Sequence, residues 1–477
     1  MEEASIPAPA LAAGLRLDVP RGDALARTAR LIEDAWQSFD LARPGQPPVG
    51  DELRSLLGGG LPESPTRAAQ GLEEAARILD ESLAPCRPRY FAFVGSSGLE
   101  IGVLADALAA CYDVNLATEA AAASIVEAQA LRWLGEFVGY PPGSGAFTSG
   151  GMISNLTALA AARERALPGA RATGLAGRTA AVYCSADAHY SVSRAAELLG
   201  IGSDGVRSIA VDERRRMRAD ETAAAVRRDR AAGVVPVAVV ATAGTTLTGA
   251  VDPIRPLAAL CAEEGIWLHV DGAYGLPAAA APSVAHLFAD LERADSVAID
   301  AHKWLYLPKA CSAVLVRDRA TLETVFHHHA DYIPHEDDEL DPVDRTLEYS
   351  RPFRALKLWL ALRVHGAEAF RQAIERNLAQ ARLLAAEVRR HDDLELLLEP
   401  ELTIVPFRHC PPGVADLDRH NLALARALQE EGRVYVSAAV IGGAACLRPC
   451  IVNYRTQDED VIALVEIARE AGAALAR

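Results

Sequence analysis

The chain has 477 residues, half of them hydrophobic and 5% aromatic, with a formal net charge of -16. That length holds a large core and more than one domain, and the acidic balance argues against a nucleic-acid binder, which would carry a basic stripe. No run of about 18 uncharged apolar residues occurs, so no membrane span is predicted, and the acidic start Met1-Glu2-Glu3 lacks the basic character of a signal peptide. Eight cysteines are scattered with no CxxC pair, which predicts reduced, mostly buried thiols in a cytoplasmic protein and no structural zinc.

Residues 1–85 read as a polar helical segment, broken by Pro- and Gly-rich joints at 43–50 and 58–62. Leu72, Ala76, Leu79 and Leu83 fall near helical spacing and predict an amphipathic helix over 67–83. From residue 86 to 350 the pattern becomes short apolar runs alternating with helical stretches. Runs at 180–184, 206–211, 234–241, 266–270, 297–299 and 313–316 read as strands, and 153–166, 191–199, 219–232 and 253–264 as helices. This alternation predicts an α/β fold with a mostly parallel central sheet covered by helices on both faces. The polar, proline-containing stretch 326–348 predicts a mobile loop of the kind that serves as a lid. Its three consecutive histidines, 327–329, converge poorly on one ion and read as solvated, so no metal site is predicted. Residues 351–477 read as a small α+β C-terminal domain. Its predicted elements are helices at 353–365 and 366–391, strands at 402–405, 434–437 and 446–450, and a last helix from Asp458.

Sites in such sheets gather at the carboxyl ends of the strands. There the run Ser296-Val297-Ala298-Ile299 leads to Asp300-Ala301-His302-Lys303-Trp304, and the run 266–270 ends in Asp271-Gly272-Ala273-Tyr274. A lysine there can be desolvated, and desolvation favours the neutral amine that condenses with an aldehyde. A carboxylate at a neighbouring strand end can keep a pyridine nitrogen protonated. Lysine and aspartate so placed meet the requirements of pyridoxal phosphate. Thr148-Ser149-Gly150-Gly151 precedes a helix and suits a phosphate, since glycines admit close backbone approach and the helix start favours negative charge. Thr245-Thr246 and Asp187-Ala188-His189-Tyr190 each follow a strand, and a histidine there can stack on a flat ring.

These segments resemble the group II pyridoxal phosphate-dependent amino-acid decarboxylases, the family that includes the aromatic amino-acid, histidine, glutamate and diaminobutyrate decarboxylases. The resemblance also takes in Pro88-Arg89-Tyr90-Phe91, Phe353 to Trp359, and Leu447-Arg448 to Asn453, so it covers roughly residues 85 to 477. It implies a fold-type I architecture and a homodimer. It also implies roles: Lys303 bonds the cofactor aldehyde, and Asp271 pairs with the ring nitrogen. Ala273 and His189 flank the ring faces, and Ser149 and Gly150 hold phosphate. Thr246 and Asp252 shape the ring surroundings, and His302 flanks the lysine. Tyr332, in the predicted lid, aligns with the tyrosine implicated in protonating Cα. With Tyr332 and His189 present, the resemblance favours decarboxylation of an L-amino acid to an amine and carbon dioxide. It favours this over oxidative conversion to an aldehyde and over a non-catalytic partner subunit. Aromatic substrates lead, on Tyr90, Phe91 and Phe93, while Arg87 and Arg89 keep acidic ones open. The chain departs from the family pattern at Ala301, Arg87, Met152-Ile153-Ser154 and the stretch 119–123.

Overall fold

The structure, a computed structural model, describes residues 17–40, 49–328 and 342–477. Its centre is a seven-stranded sheet: β1 (Ser144–Thr148), β2 (Ala180–Ser185), β3 (Val206–Ile209), β4 (Val235–Thr242), β5 (Trp267–Asp271), β6 (Ser296–Ile299) and β7 (Ser312–Val316), in the order β1-β7-β6-β5-β4-β2-β3. Only β7 runs against its neighbours. Strands β2, β5, β6 and β7 are buried along their whole length. This explains why they read as continuous apolar runs: a sheet covered on both faces has no polar side to alternate with. The helices Gly151–Ala166, Ser191–Leu198, Ala219–Ala231 and Ile254–Glu264 cover it. The predicted alternation of strands and helices in this region is borne out to within a residue or two at most ends. Strand β1 has no counterpart among the predicted strands.

Register brings the carboxyl ends of the parallel strands to one edge. Thr242 at the end of β4 pairs with Asp271 at the end of β5, and Asp271 pairs with Ala298, two residues before Asp300. The turn of helix Ala301–Trp304 then follows β6 directly.

The second layer system lies toward the C-terminus. Strands β8 (Leu394–Leu396), β9 (Phe407–His409), β10 (Ala438–Ile441) and β11 (Ala444–Leu447) form an antiparallel sheet in the order β10-β11-β9-β8. It packs with helices Leu417–Glu431 and Asp458–Leu475 and the last turns of Ala355–Arg389 around Phe407, Leu424, Val461 and Leu464. Gly366, at φ 74° and ψ 155°, breaks the long helix Ala355–Arg389 where the sequence predicts two helices. The last helix begins at Asp458, as predicted. Two predicted strands are corrected. Segments 402–405 and 434–437 are extended but carry only isolated bridges, Ile404 to Cys450 and Tyr435 to Tyr90. Pro406 and Pro449 supply no N–H where a ladder would continue. The freed edges bind residues 89–91 instead: Phe91 N donates to Tyr435 O at 2.8 Å, and Tyr435 N to Arg89 O at 3.1 Å. Helices Arg21–Asp40, Asp51–Leu57 and Ala68–Asp80 make up the described N-terminal segment. All eight cysteines are free, and five are buried. No helix among the described residues is long and apolar enough to cross a membrane.

Candidate active site

The edge where β4, β5 and β6 end opens into a cleft whose lining includes His189, Thr246, Asp271, Ala273 and Lys303. Five residues named from sequence are thus brought together. Gly151 and Met152, at the start of the helix after β1, line the same cleft. Ser149 and Gly150 lie at the bend before them and are only partly buried. His302 points elsewhere: it is buried, with Nδ1 2.9 Å from Cys311 O, and it is not among the lining side chains. Asp252 is also behind the wall. Its carboxylate accepts from Met217 N at 2.6 Å and Thr242 N at 2.7 Å, bracketing the end of β4. Burial pushes its carboxyl up to about 7. Tyr332 and most of the predicted lid lie outside the described residues.

Asp271 is held by neutral donors. Asn155 Nδ2 donates to Oδ2 at 2.8 Å, and Ala273 N to Oδ1 at 3.2 Å. Lys303 is held by a charge: its Nζ lies 2.8 Å from Asp300 Oδ2, with Asp300 itself buried. Burial alone would lower the lysine, but the charge and hydrogen bond of Asp300, with Asp271 behind, outweigh it and raise the amine above its ordinary range. The expectation of a desolvated, neutral amine therefore needs correcting for this state of the protein. Asp300 escaped the sequence reading as a site residue. The available signal was its spacing of three from Lys303, which one helical turn converts to contact.

His189 Nδ1 accepts from Ser191 N at 3.3 Å, and burial pushes the imidazole below its ordinary range. The ring is thus neutral, with its proton on Nε2. Thr245 bonds Thr248 across 2.9 Å, while Thr246 lines the cleft.

Three features fit a phosphate-bearing aldehyde cofactor. Thr242 Oγ1 is buried in the lining with no partner among the described residues. The helix Gly151–Ala166 has no side-chain cap, and no described group accepts from the amides of Gly151 and Met152. A Cβ on Gly151 would stand 2.8 Å from Ala273 Cβ and 3.1 Å from Asp300, so only glycine lets the helix start approach the cleft floor this closely. An amine, a carboxylate and a neutral imidazole complete the set.

The aromatic and basic residues before the cleft separate clearly. Arg89 pairs with Asp460 at 2.8 Å, and Arg87 bonds Ser38 O at 3.1 Å and lies over the Phe39 ring. Tyr90 stacks on Tyr435, and Phe91 is buried in the C-terminal core. Phe93 is exposed, held at φ 54°. Arg448 lies in the matched segment Leu447 to Asn453. It is buried, and its Nη1 has no partner among the described residues. Its backbone meets that of Phe93 through Ser437 Oγ. Its charge and that of Lys303 both act on Cys450. A larger hollow of about 1300 Å³ lies under the N-terminal helices, but none of the cleft's lysine, aspartate and histidine residues lines it.

Comparisons with known proteins agree with this geometry. The pyridoxal-dependent decarboxylase conserved domain matches residues 51–410. The aromatic-L-amino-acid decarboxylase of Bacillus atrophaeus is 33% identical over 87% of this chain and 88% of its own. The cysteine sulfinic acid decarboxylase of Mus musculus is 33% identical over 76% of each chain. The crystal structure of Oryza sativa TDC with PLP and tryptamine superimposes with a TM-score of 0.90 at 26% identity, covering 97% of this chain and 100% of that one. The chain belongs to the pyridoxal-dependent decarboxylase family, with the fold-type I architecture and pyridoxal phosphate as cofactor, and is an amino-acid carboxy-lyase of that family.

Proposed function

We propose that the protein decarboxylates an aromatic L-amino acid to its amine. The observation that carries the aromatic choice is the disposition of the two arginines: both Arg87 and Arg89 are engaged away from the cleft, while Phe93 stays exposed beside Arg448. An acidic side chain would need a free cation in addition to one for the α-carboxylate. Arg448, buried with an open N–H, is the proposed partner of a substrate carboxylate, because an unpaired buried donor gains most from an anionic acceptor. The Bacillus atrophaeus and Mus musculus relatives act on different side chains by name, so family membership alone does not choose between them.

Bound pyridoxal phosphate supplies an electron sink for the pair left on Cα when carbon dioxide departs. The chain's own residues do the rest. Lys303 is the proposed amine that takes the aldehyde, and Asp271 the counter-charge that keeps the ring nitrogen protonated. His189 and Ala273 are proposed for the two ring faces, and Thr246 for the rim. Ser149, Gly150 and the open amides at the helix start are proposed to take the phosphate. His302 is proposed to support Lys303 from behind through its bond to Cys311. Tyr332 is proposed as the proton donor to Cα. We also propose a homodimer, a cytoplasmic location consistent with eight free thiols, and a division into segments 1–85, 86–350 and 351–477.

The test is a panel of L-amino acids assayed for carbon dioxide, with amine, aldehyde and peroxide measured together. Aromatic substrates should release carbon dioxide and amine in equal amounts. Release only from glutamate, aspartate or cysteine sulfinate would overturn the aromatic choice. Aldehyde with peroxide as the main product would overturn the amine.

A further inference from the structure

Behind Asp271 runs a line of buried polar groups that the proposed chemistry does not use. Asn155 spends both amide protons, on Asp271 Oδ2 at 2.8 Å and on Ser191 Oγ at 2.8 Å. Its Oδ1 must therefore accept, and the group 2.9 Å away is His269 Nε2. His269 Nε2 then carries a proton, and Nδ1 is left to accept from Ser296 Oγ at 2.8 Å. Ser296, its own proton spent, accepts from Trp267 Nε1 at 2.8 Å. An indole N–H can only donate. The direction of every bond is thus set from Trp267 at one end to the carboxylate at the other. Arg165 covers the outer face of Trp267 at 4.5 Å. His269 and Ser296 are fully buried and Asn155 nearly so. Burial pushes the His269 imidazole down to about 4, so the ring stays neutral across the physiological range.

The amide of Asn155 has two orientations of nearly equal shape. One presents N–H to Asp271. The other presents a carbonyl oxygen to a carboxylate, leaves a buried acceptor facing an acceptor, and withdraws a donor from Asp271. Asp271 alone favours the first, but a carboxylate that loses its donor can rotate. A fixed N–H on the far side of the amide removes that freedom.

We propose that His269 is a positioning residue for the decarboxylation: its Nε2–H, oriented by Ser296, locks the Asn155 amide with N–H toward Asp271, so that the carboxylate keeps its direction and charge for the cofactor ring. This rests on the reading of Asp271 as partner of the ring nitrogen. It is independent of which amino acid is the substrate.

Three variants test it, with pyridoxal phosphate affinity and the absorbance of the bound cofactor as readouts beside turnover. His269→Gln keeps both functions, since its amide N–H can reach Asn155 and its carbonyl can accept from Ser296. It should hold the dissociation constant near that of the wild type. His269→Leu fills the space without a donor. It should raise the dissociation constant by about 10- to 100-fold, the range that loss of a hydrogen bond to a charged group supports, with a shifted absorbance band. Equal impairment of the two would mean that ring shape, not the donor, matters, and would overturn the proposal, as would wild-type behaviour of His269→Leu. If His269→Leu does not fold, Ser296→Ala decides. It frees the imidazole to take the other tautomer, and unchanged affinity and spectrum in that variant would likewise overturn the lock. Asp271→Asn is the control. If it too binds and turns over as wild type, the reading of Asp271 fails; if it is impaired while His269→Leu is not, only the positioning role fails.

Discussion

Replacing Asp300 by asparagine should make the protein capture its cofactor faster. Lys303 must lose a proton before its amine can attack an aldehyde, and Asp300 opposes that loss with a charge 2.8 Å away. Burial pulls the other way but is outweighed. The Asp300→Asn variant would keep the shape and a neutral acceptor while removing the charge. A charge-assisted hydrogen bond in a part-buried site is worth ~1.5–3 kcal/mol against a neutral one of ~1, so the variant should favour the neutral amine by ~0.5–2 kcal/mol. That corresponds to roughly a 2- to 30-fold larger neutral fraction at a pH below the amine's own transition. The assay is rapid mixing of cofactor-free protein with pyridoxal phosphate near neutral pH, following the absorbance of the lysine-bound cofactor. The sign is fixed by the direction of the lysine shift. The advantage of the variant should be full at neutral pH and vanish as pH rises through the lysine transition, where the wild-type amine is also neutral. An association rate equal to or slower than wild type at neutral pH, in a variant with unchanged thermal stability, would refute the account of Asp300 as the group that holds the lysine charged.

Lys303→Ala should lose the absorbance of the lysine-bound cofactor and all turnover while keeping its circular dichroism spectrum; a retained band would point to another lysine. Asp271→Asn should still bind cofactor but turn over ~100-fold slower or worse, because an amide cannot stabilise a protonated ring nitrogen. Tyr332→Phe should keep carbon dioxide release but divert product from amine to aldehyde with peroxide and ammonia, measured under air; amine alone at the wild-type rate would remove Tyr332 as donor. Asp252 holds its proton up to about 7 in the folded protein, well above an unfolded carboxyl. Its contribution to stability is therefore full below pH ~4 and is lost as pH rises toward ~7. Asp252→Asn should cost ~1–3 kcal/mol through one lost amide bond and flatten that part of the Tm-against-pH profile of the cofactor-free protein; an unchanged slope would exonerate Asp252.

The large sheet was legible because its strands are buried on both faces and so appear as uninterrupted apolar runs. Strand β1, Ser-Gly-Ala-Phe-Thr, has only two apolar side chains beyond glycine and lies at the sheet edge, so it offered neither a run nor a clear alternation. The C-terminal sheet was legible only at β11, which the predicted strand 446–450 overlaps at Cys446 and Leu447. The strands of this sheet are three or four residues long. The strongest apolar segments nearby, 402–405 and 434–437, spend their backbone groups on distant bridges rather than on a ladder.

The site divides in the same way. Lys303, Asp271, His189, Thr246 and Ala273 could be named because each stands just beyond or at the end of a recognisable strand, where side chains converge. Asn155 and His269 are 114 residues apart, and their contact exists only once β5 lies under the helix after β1. Inside a strand, His269 carries no mark that separates a bonded relay from an ordinary core histidine. Asp300 was in plain view, but its meaning depended on the chain turning helical at the next residue.

The two buried carboxylates of the cleft show what the neighbours add to a residue's chemistry. Asp300 faces a cation: Lys303 Nζ sits on one oxygen, Ser312 Oγ donates to the other, and His302 Nε2 stands 3.7 Å off. Its charge is largely answered within the protein. Asp271 faces neutral dipoles, one from Asn155 and one from the Ala273 amide, one on each oxygen. Dipoles stabilise a negative charge without cancelling it, so the field of Asp271 still reaches into the cleft. A cationic ring nitrogen entering there meets one carboxylate whose charge is already matched and one whose charge is held in place and unmatched. The second is the partner proposed for the ring nitrogen, because it has no ion pair to exchange. The neutral histidine behind Asn155 fits the same proposal: a protonated imidazole at that point would begin to answer the charge proposed for the ring nitrogen.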